Sequence, residues 1–436
     1  MPGRYWIETL GCPKNAVDSD KLAGTLTADG YVRADTPERA DLVVVNTCAF
    51  IEAARAESVE AILELGARRR AGARLVVTGC LAQRSGEELA DALPEVDLVA
   101  GFGVPLQLTE GPRVRRGAGT PAGAANAFDL LELARPAPDA PWAYVKVAEG
   151  CDRRCGFCAI PSFRGRQRSR PAATVLAEVD QLAAAGVREI VLVAQDLASY
   201  GNDDGRRNAL VPLVRAVAGR VERVRLLYLY PSALSDALID AVAETKVAYF
   251  DLSLQHVSAP LLRAMRRYGS GERFLERIAA IRARVPEAAL RSSFICGYPG
   301  ETEEDHDALL SFLEEAELDW AGFFTFSEEE GTYAAGLAKK VPAPLAQERA
   351  RELGELQDAI TARRRRALVG EEMTVLVDAP GVGRTHREAP EIDGVVRIAT
   401  GAAPVGAFQR VRAVEAVGPD LVAQPVAPPA GTGGRQ

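Results

Sequence analysis

Three of the chain's seven cysteines fall within eight residues: Cys151, Cys155 and Cys158, in EGCDRRCGFCAIPSFRG. At this cysteine usage a chance C-x3-C-x2-C arises roughly 0.002 times per chain of this length, so the spacing needs a chemical cause. Thiolates are the ligands of iron–sulfur clusters, and one compact loop can wrap several irons of a cluster. Structural zinc usually takes four closed protein ligands, and the three histidines here, His256, His306 and His386, have no ligand-like neighbours. Three thiolates without a fourth leave one iron of a cubane open to a substrate or cofactor. A second set, Cys12, Cys48 and Cys80, stands in TLGCPKN, VNTCAF and VTGCLAQ. Each directly follows a stretch that reads as a strand, and their separations of 36 and 32 residues match βαβ units. The carboxyl ends of parallel strands share one edge of the sheet. The three cysteines are therefore predicted to meet there as ligands of a second cluster, against the plainer reading of three packed small side chains. Cys296, inside LRSSFICG, reads as such a packed side chain.

The elements that must position these residues are α/β. WIETL, DLVVVN and ARLVVTG are short apolar strands, with helical patterns in DSDKLAGTLTADG and from Glu52 to Arg70. This rhythm predicts an N-terminal parallel-sheet domain over 1–102. A Gly/Pro/Ala-rich passage over 103–141 reads as a linker, and GFGVP within its start as a turn that matches no phosphate loop. From Trp142 six strands follow, WAYVKVA, EIVLVAQ, RVRLLYL, YFDLSLQ, LRSSFICG and WAGFFTFS, separated by helices. Six units predict a partial (β/α) barrel over 142–369 rather than a closed one of eight. Gln195 and Gln255 end its second and fourth strands, on the edge where barrel sites form. GYPGETEED, from Gly297, either lets backbone approach a cofactor or caps a helix. The run Arg363 to Arg366 reads as a solvated helix face. Short strands over 370–428 predict a small β-barrel, and 429–436 a disordered tail.

Composition excludes some classes. With a net charge of −8, the chain is not one that coats nucleic acid nonspecifically. No window nears 18 uninterrupted apolar residues, and the N-terminus lacks a basic stretch followed by an apolar run, so no membrane span or signal peptide is expected. A cytoplasmic protein is expected, with cysteines used for metal or catalysis rather than disulfides.

The motif CDRRCGFC at the end of the first barrel strand resembles the radical S-adenosylmethionine superfamily. That resemblance implies a 4Fe-4S cluster on Cys151, Cys155 and Cys158, with S-adenosylmethionine on its open iron and cleaved to a 5′-deoxyadenosyl radical. Phe157 stands where that family has an aromatic residue near the adenine, and Gln195 and Gln255 are candidates to hydrogen-bond the cofactor. LGCPKNAVDSD, NTCAFI, TGCLAQR and CGYPGETEED together resemble the methylthiotransferase family over almost the whole chain. This implies an auxiliary 4Fe-4S cluster on Cys12, Cys48 and Cys80, which carries the transferred sulfur. It also implies use of two S-adenosylmethionine molecules, an electron donor such as flavodoxin or ferredoxin, and a C-terminal TRAM barrel. CDRRCGFCAIPSFRGRQRSR, FTFSEEEGTYAA and APEIDGVV resemble the branch that modifies an aspartate β-carbon in small-subunit ribosomal protein twelve. In the alternative branch, which modifies tRNA adenosine, a proline and a basic residue tend to stand where Glu328, Glu329 and Glu330 do here. Residues 370–436 hold six Arg and no Lys against eight Asp and Glu, whereas a tRNA-gripping domain would carry a basic patch. Acids such as Glu388 and Glu391 are thus expected to face a basic protein partner. A noncatalytic iron–sulfur RNA-binding module is the reading from another class.

Overall fold

The computed structural model describes residues 2–102 and 129–426. Most of the expected linker, the end of GFGVP and the tail therefore lie outside the described residues. The first domain is a parallel five-stranded sheet in the order β2-β1-β3-β4-β5, with β1 Arg4–Thr9, β2 Val32–Arg33, β3 Leu42–Thr47, β4 Arg74–Gly79 and β5 Leu98–Ala100. Helices α1 (Pro13–Ala28), α2 (Glu52–Arg68) and α3 (Cys80–Ala92) connect them. LVVVNT of β3 is buried at every position, as a central strand covered on both faces must be.

Residues 129–141, placed in the linker by composition, are docked rather than free. Leu131 is buried, and Lys21 Nζ donates to the Leu133 carbonyl at 2.6 Å. The chain then enters β6 (Trp142–Lys146), the short antiparallel pair β7 (Ala148–Glu149) and β8 (Arg168–Ser169), and the strands β9 (Glu189–Val193), β10 (Arg223–Leu226), β11 (Tyr249–Gln255), β12 (Ala289–Cys296) and β13 (Trp320–Thr325). Six of these pair in parallel as β6-β9-β10 and β11-β12-β13. A single bridge from Leu229 to Leu252 joins the halves, giving the open barrel. Helix α4 (Ile160–Arg164) follows the C-x3-C-x2-C loop. The barrel's outer helices are α5 (Ala172–Ala184), α6 (Leu210–Ala218), α7 (Asp236–Glu244), α8 (Ala259–Ala264), α9 (Gly271–Arg284), α10 (Glu303–Ala316) and α11 (Ala343–Arg366). Strands β14 (Glu372–Ala379), β15 (Val382–Arg384), β16 (Val396–Ile398), β17 (Phe408–Val417) and β18 (Asp420–Pro425) close a separate small barrel.

The large barrel is filled from both ends. One apolar cluster joins Val17 of α1, the strand residues Tyr144, Val191, Val193 and Tyr249, and Ala389 of the β15–β16 loop. That loop enters at the amino half of the strands: Tyr144 Oη donates to the Pro390 carbonyl at 3.0 Å and Tyr249 Oη to Asp393 at 2.6 Å. APEIDGVV is therefore part of an internal plug. Two expectations fall with it. Glu388 is fully buried on Arg365 and Thr385, so it faces no partner, whereas Glu391 accepts from Tyr144 Oη at 3.3 Å and stays exposed. The run Arg363–Arg366 is likewise no simple solvated face, because Arg365 is buried on that same Glu388 and Arg364 pairs with Asp319. Sequence charge counts acids without knowing which are consumed internally.

Candidate functional site

The two cysteine sets are built by different local means. Cys12 is the N-cap of α1, Cys48 directly follows β3, and Cys80 opens α3. Glycine precedes two of them for a steric reason. At Gly11 (φ +96°) a Cβ would lie 2.8 Å from Cys48 Cβ, and at Gly79 (φ +92°) it would lie 2.6 Å from the Thr47 backbone nitrogen. Both turns combine left-handed backbone with close approach, which only glycine tolerates. Asn15 ties the turns together: its Nδ2 donates to the carbonyls of Leu10 at 2.8 Å and Thr47 at 3.1 Å. Ser58 Oγ holds the Cys48 turn by accepting from the Cys48 amide at 3.0 Å.

The second set lies in the loop between β7 and α4. The Cys151 amide donates to the Gly165 carbonyl at 3.1 Å, and Gly156 is held from both sides by Met265 and Ala334. Two arginines serve its sulfurs. The Arg153 amide donates to Cys151 Sγ, and Arg267 Nη1 to Cys155 Sγ, each at 3.4 Å. Both guanidiniums lie over the Tyr230 ring, at 3.9 and 4.2 Å from its centroid.

Arg164 links Cys80 of the first set to Glu149, two residues before Cys151, and nothing in the sequence marks it. Its Nη2 donates to Cys80 Sγ at 3.0 Å and to Asn15 Oδ1 at 2.7 Å. Its Nη1 donates to Asp18 Oδ2 and to Glu149 Oε1, each at 3.0 Å. Lys146 supplies a second cation to both carboxylates. Glu149 is therefore held well below the usual carboxylate range: burial pushes it up, but Arg164 and Lys146 outweigh that. Asn15, Asp18, Glu149 and Arg164 were missed from sequence because their partners are tertiary. The one available signal was the polar row Asn15–Asp18–Ser19 on an otherwise half-apolar helix.

The seven cysteines are free thiols. Burial raises Cys48 and Cys151 to about 11 and Cys158 to about 12, each pushed further by neighbouring cysteines. Burial also raises Cys80, with Arg164 opposing. For Cys12 burial is outweighed by Lys14, Arg164 and two backbone amides, and its pKa is lowered. Thiols that crowd and repel one another, with cations beside them, are a donor set for a bound cationic group that would deprotonate them. Among the described residues no three Cys, His, Asp or Glu side chains converge tightly enough for one metal ion. Cys296 is buried, raised to about 12 by burial, and apart from both sets, as a packed side chain.

The remaining predicted residues divide. Gln195 donates to Glu149 Oε1 at 2.7 Å, while its buried Oε1 has no partner among the described residues. Gln255 ends β11 at φ +75°, beside an irregularity in the β11–β12 register. Phe157 is half-buried against the barrel core. In GYPGETEED the helix-capping reading is the one the structure displays. Thr302 and Asp305 form a capping box for α10, and Glu301 accepts from the Gly297 amide at 2.7 Å to fix the turn. Of the three glutamates from Glu328 to Glu330, the middle one faces inward: Glu329 is 1% exposed and pairs with Arg55 and Arg84 of the first domain.

Comparisons with known proteins follow this architecture. Residues 4–101 match the uncharacterized protein family UPF0004, residues 145–313 the radical SAM superfamily and residues 369–426 the TRAM domain. A solved structure of the radical S-adenosylmethionine methyltransferase TsrM from Kitasatospora setae has a TM-score of 0.51 at 15% identity, covering 88% of this chain and 80% of that one. It shows the fold alone. Several relatives carry the name ribosomal protein uS12 methylthiotransferase RimO. That of Moorella thermoacetica is 43% identical over 94% of this chain and 96% of its own length. That of Streptomyces coelicolor is 43% identical, covering 96% of each. That of Geobacter sulfurreducens is 41% identical over 95% of this chain and 97% of its own. With its three domains in order and similarity along nearly the whole length, the chain belongs to the uS12 methylthiotransferase family within the radical S-adenosylmethionine enzymes.

Proposed function

We propose that the chain attaches a methylthio group to the β-carbon of an aspartate in small-subunit ribosomal protein uS12, using two molecules of S-adenosylmethionine. The observation that carries this reading is the pair of three-cysteine sets, one in each domain, with Arg164 running from Cys80 to Glu149, two residues before Cys151. Cys151, Cys155 and Cys158 hold a radical-generating 4Fe-4S cluster, and Cys12, Cys48 and Cys80 an auxiliary one. When bound, the clusters and S-adenosylmethionine supply the radical and the sulfur, because the substrate's C–H bond has no acidity for a general base to exploit. The chain's own residues do the placing. Arg153 and Arg267 orient the thiolates of the radical loop, while Asn15 and Arg164 orient those of the first domain. Gln195 offers its unpartnered oxygen to the cofactor, and Phe157 and Gln255 are the further candidates to contact it. Residues 1–102 deliver sulfur, 142–369 generate the radical, and 370–426 close the barrel's far end. A reduced flavodoxin or ferredoxin is the proposed donor and the cytoplasm the proposed compartment. Among the described residues no helix is long and apolar enough to cross a membrane.

The test is an anaerobic assay of reconstituted protein offered both a uS12 peptide and tRNA. Methylthiolated peptide is expected, and modified tRNA with unmodified peptide would overturn the reading. Reconstituted protein should hold about eight irons per chain. Replacing Cys151, Cys155 and Cys158 with Ala should remove about half the iron and abolish 5′-deoxyadenosine formation. Replacing Cys12, Cys48 and Cys80 should keep that cleavage and abolish methylthio transfer. A full reconstitution that stops near four irons would count against two clusters.

A further inference from the structure

We propose that Lys14 receives the carboxylate of the substrate side chain and so selects aspartate as the acceptor, an inference that rests on the reading above. Lys14 stands in the first turn of α1, two residues after Cys12. Its side chain is 8% exposed, and its ammonium lies 3.4 Å from the centroid of the Tyr228 ring. Among the described residues that ring is the sole partner of its ammonium besides the field of Cys12. The other buried lysines are paired otherwise: Lys21 with Glu178, and Lys146 with Asp18 and Glu149. Burying an ammonium without a carboxylate is costly, and an aromatic face offsets only part of that cost. Lys14 thus lacks a carboxylate of its own, with only Cys12 and an aromatic face beside it.

Its location says which anion. Tyr228 follows the carboxyl end of β10 in left-handed backbone (φ +64°), with its amide fixed by Asp251 Oδ2 at 2.9 Å. Two residues on, Tyr230 underlies Arg153 and Arg267, the two arginines of the radical loop. The segment 228–230 therefore runs from Lys14 and the first cysteine set to the second set. A reacting carbon must lie between the radical and the sulfur. In aspartate the β-carbon is directly bonded to the carboxylate carbon, so anchoring the carboxylate at Lys14 holds the β-carbon in that gap. An ammonium there favours a carboxylate over its neutral amide, and over a nucleobase, by a charge-assisted bond that neither rival can make.

The test uses the full chain, anaerobically reconstituted, with two uS12 peptides that differ only in Asp or Asn at the target position. Parent, Lys14→Met and Lys14→Arg are compared by kcat/KM for each peptide, with iron content recording cluster loading. Where turnover is too slow, fluorescence anisotropy of the labelled peptides gives the same comparison as binding. In Lys14→Met the Asp-over-Asn preference should fall by about ten- to a hundred-fold, chiefly through KM for the Asp peptide. Lys14→Arg should retain most of the preference. An unchanged preference in Lys14→Met overturns the inference while leaving the function intact, and Lys14 then serves only the auxiliary cluster. Equal loss in Lys14→Arg and Lys14→Met overturns it as well. If the parent cleaves S-adenosylmethionine yet modifies neither peptide, the uS12 reading itself fails, and the inference with it.

Discussion

A guanidinium carries its donors in one rigid plane, and Arg164 uses that plane to reach Cys80, Asn15, Asp18 and Glu149 together. A lysine at this place is a single point charge and cannot span both sides. Arg164→Met should leave Asp18 and Glu149 buried with only Lys146 between them. The expected cost is about 3–5 kcal/mol, read by urea unfolding of cluster-free protein, with Arg164→Lys falling between parent and Met. In protein that carries only the auxiliary cluster, loss of the donor to Cys80 should also move the reduction potential to more negative values. An unchanged potential would show that the Arg164–sulfur contact does not survive cluster binding. At this scale the sequence showed where the six cysteines stand, three in one loop and three at strand ends and helix starts. It was silent where chemistry depends on partners more than a hundred residues apart, as Arg164 and Asn15 do.

The elements were easier to read than the contacts between them. All six barrel strands and the three central strands of the first domain stand on the apolar runs of the sequence, most plainly where a strand is buried on two faces, as β3 and β9 are. The two-residue strands β2, β7 and β8 have no such burial and left no pattern. Nor does composition tell which of three consecutive glutamates turns inward. In the loop after β13 it is Glu329, which joins Arg55 of α2 and Arg84 of α3, while Ser327 Oγ accepts from the Glu52 amide at 3.1 Å. This loop also reaches the radical site, since the Ala334 amide donates to the Gly156 carbonyl at 2.8 Å. It therefore straps the sulfur-carrying domain to the radical loop. Glu329→Gln should strip the charge shared by two arginines and loosen that strap. Amide exchange in α2 and α3 should quicken, and methylthio transfer should fall several-fold more than substrate-free 5′-deoxyadenosine formation. Equal slowing of both reactions would place Glu329 in the radical step instead.

At the scale of the whole molecule, three domains share one interior. Helix α1 enters the barrel from its carboxyl mouth and the β15–β16 loop from its amino mouth, so the C-terminal domain acts on the barrel's foundation. The charges there give its stability a signed pH dependence. Burial pushes Glu189 up, but Arg225, Arg384 and Arg223 outweigh it and hold the carboxyl down to about 2 from an ordinary 4.5. A lowered native pKa means the unfolded chain binds the proton more readily. Glu189 therefore contributes its full stability above pH 4.5 and loses it progressively as pH falls toward about 2. Asp393 has the opposite sign. Burial raises it to about 6 from 3.8, against Arg291, Tyr249 and the Ala389 amide. Here the native state holds the proton more tightly, so stability rises as pH falls from above 6 toward 3.8 and levels off below. Urea unfolding of cluster-free protein from pH 7.5 to 3 should separate the two. Asp393→Asn should flatten the rise between about pH 7 and 4, and Glu189→Gln should flatten the fall below about pH 4.5. Glu189→Gln should also cost about 3–5 kcal/mol at neutral pH by leaving three buried arginines without their shared carboxylate. If Glu189→Gln unfolds with the parent's midpoint at neutral pH, the docking of the C-terminal domain rests on the apolar plug of Ala389 and Ile392 rather than on this charge cluster.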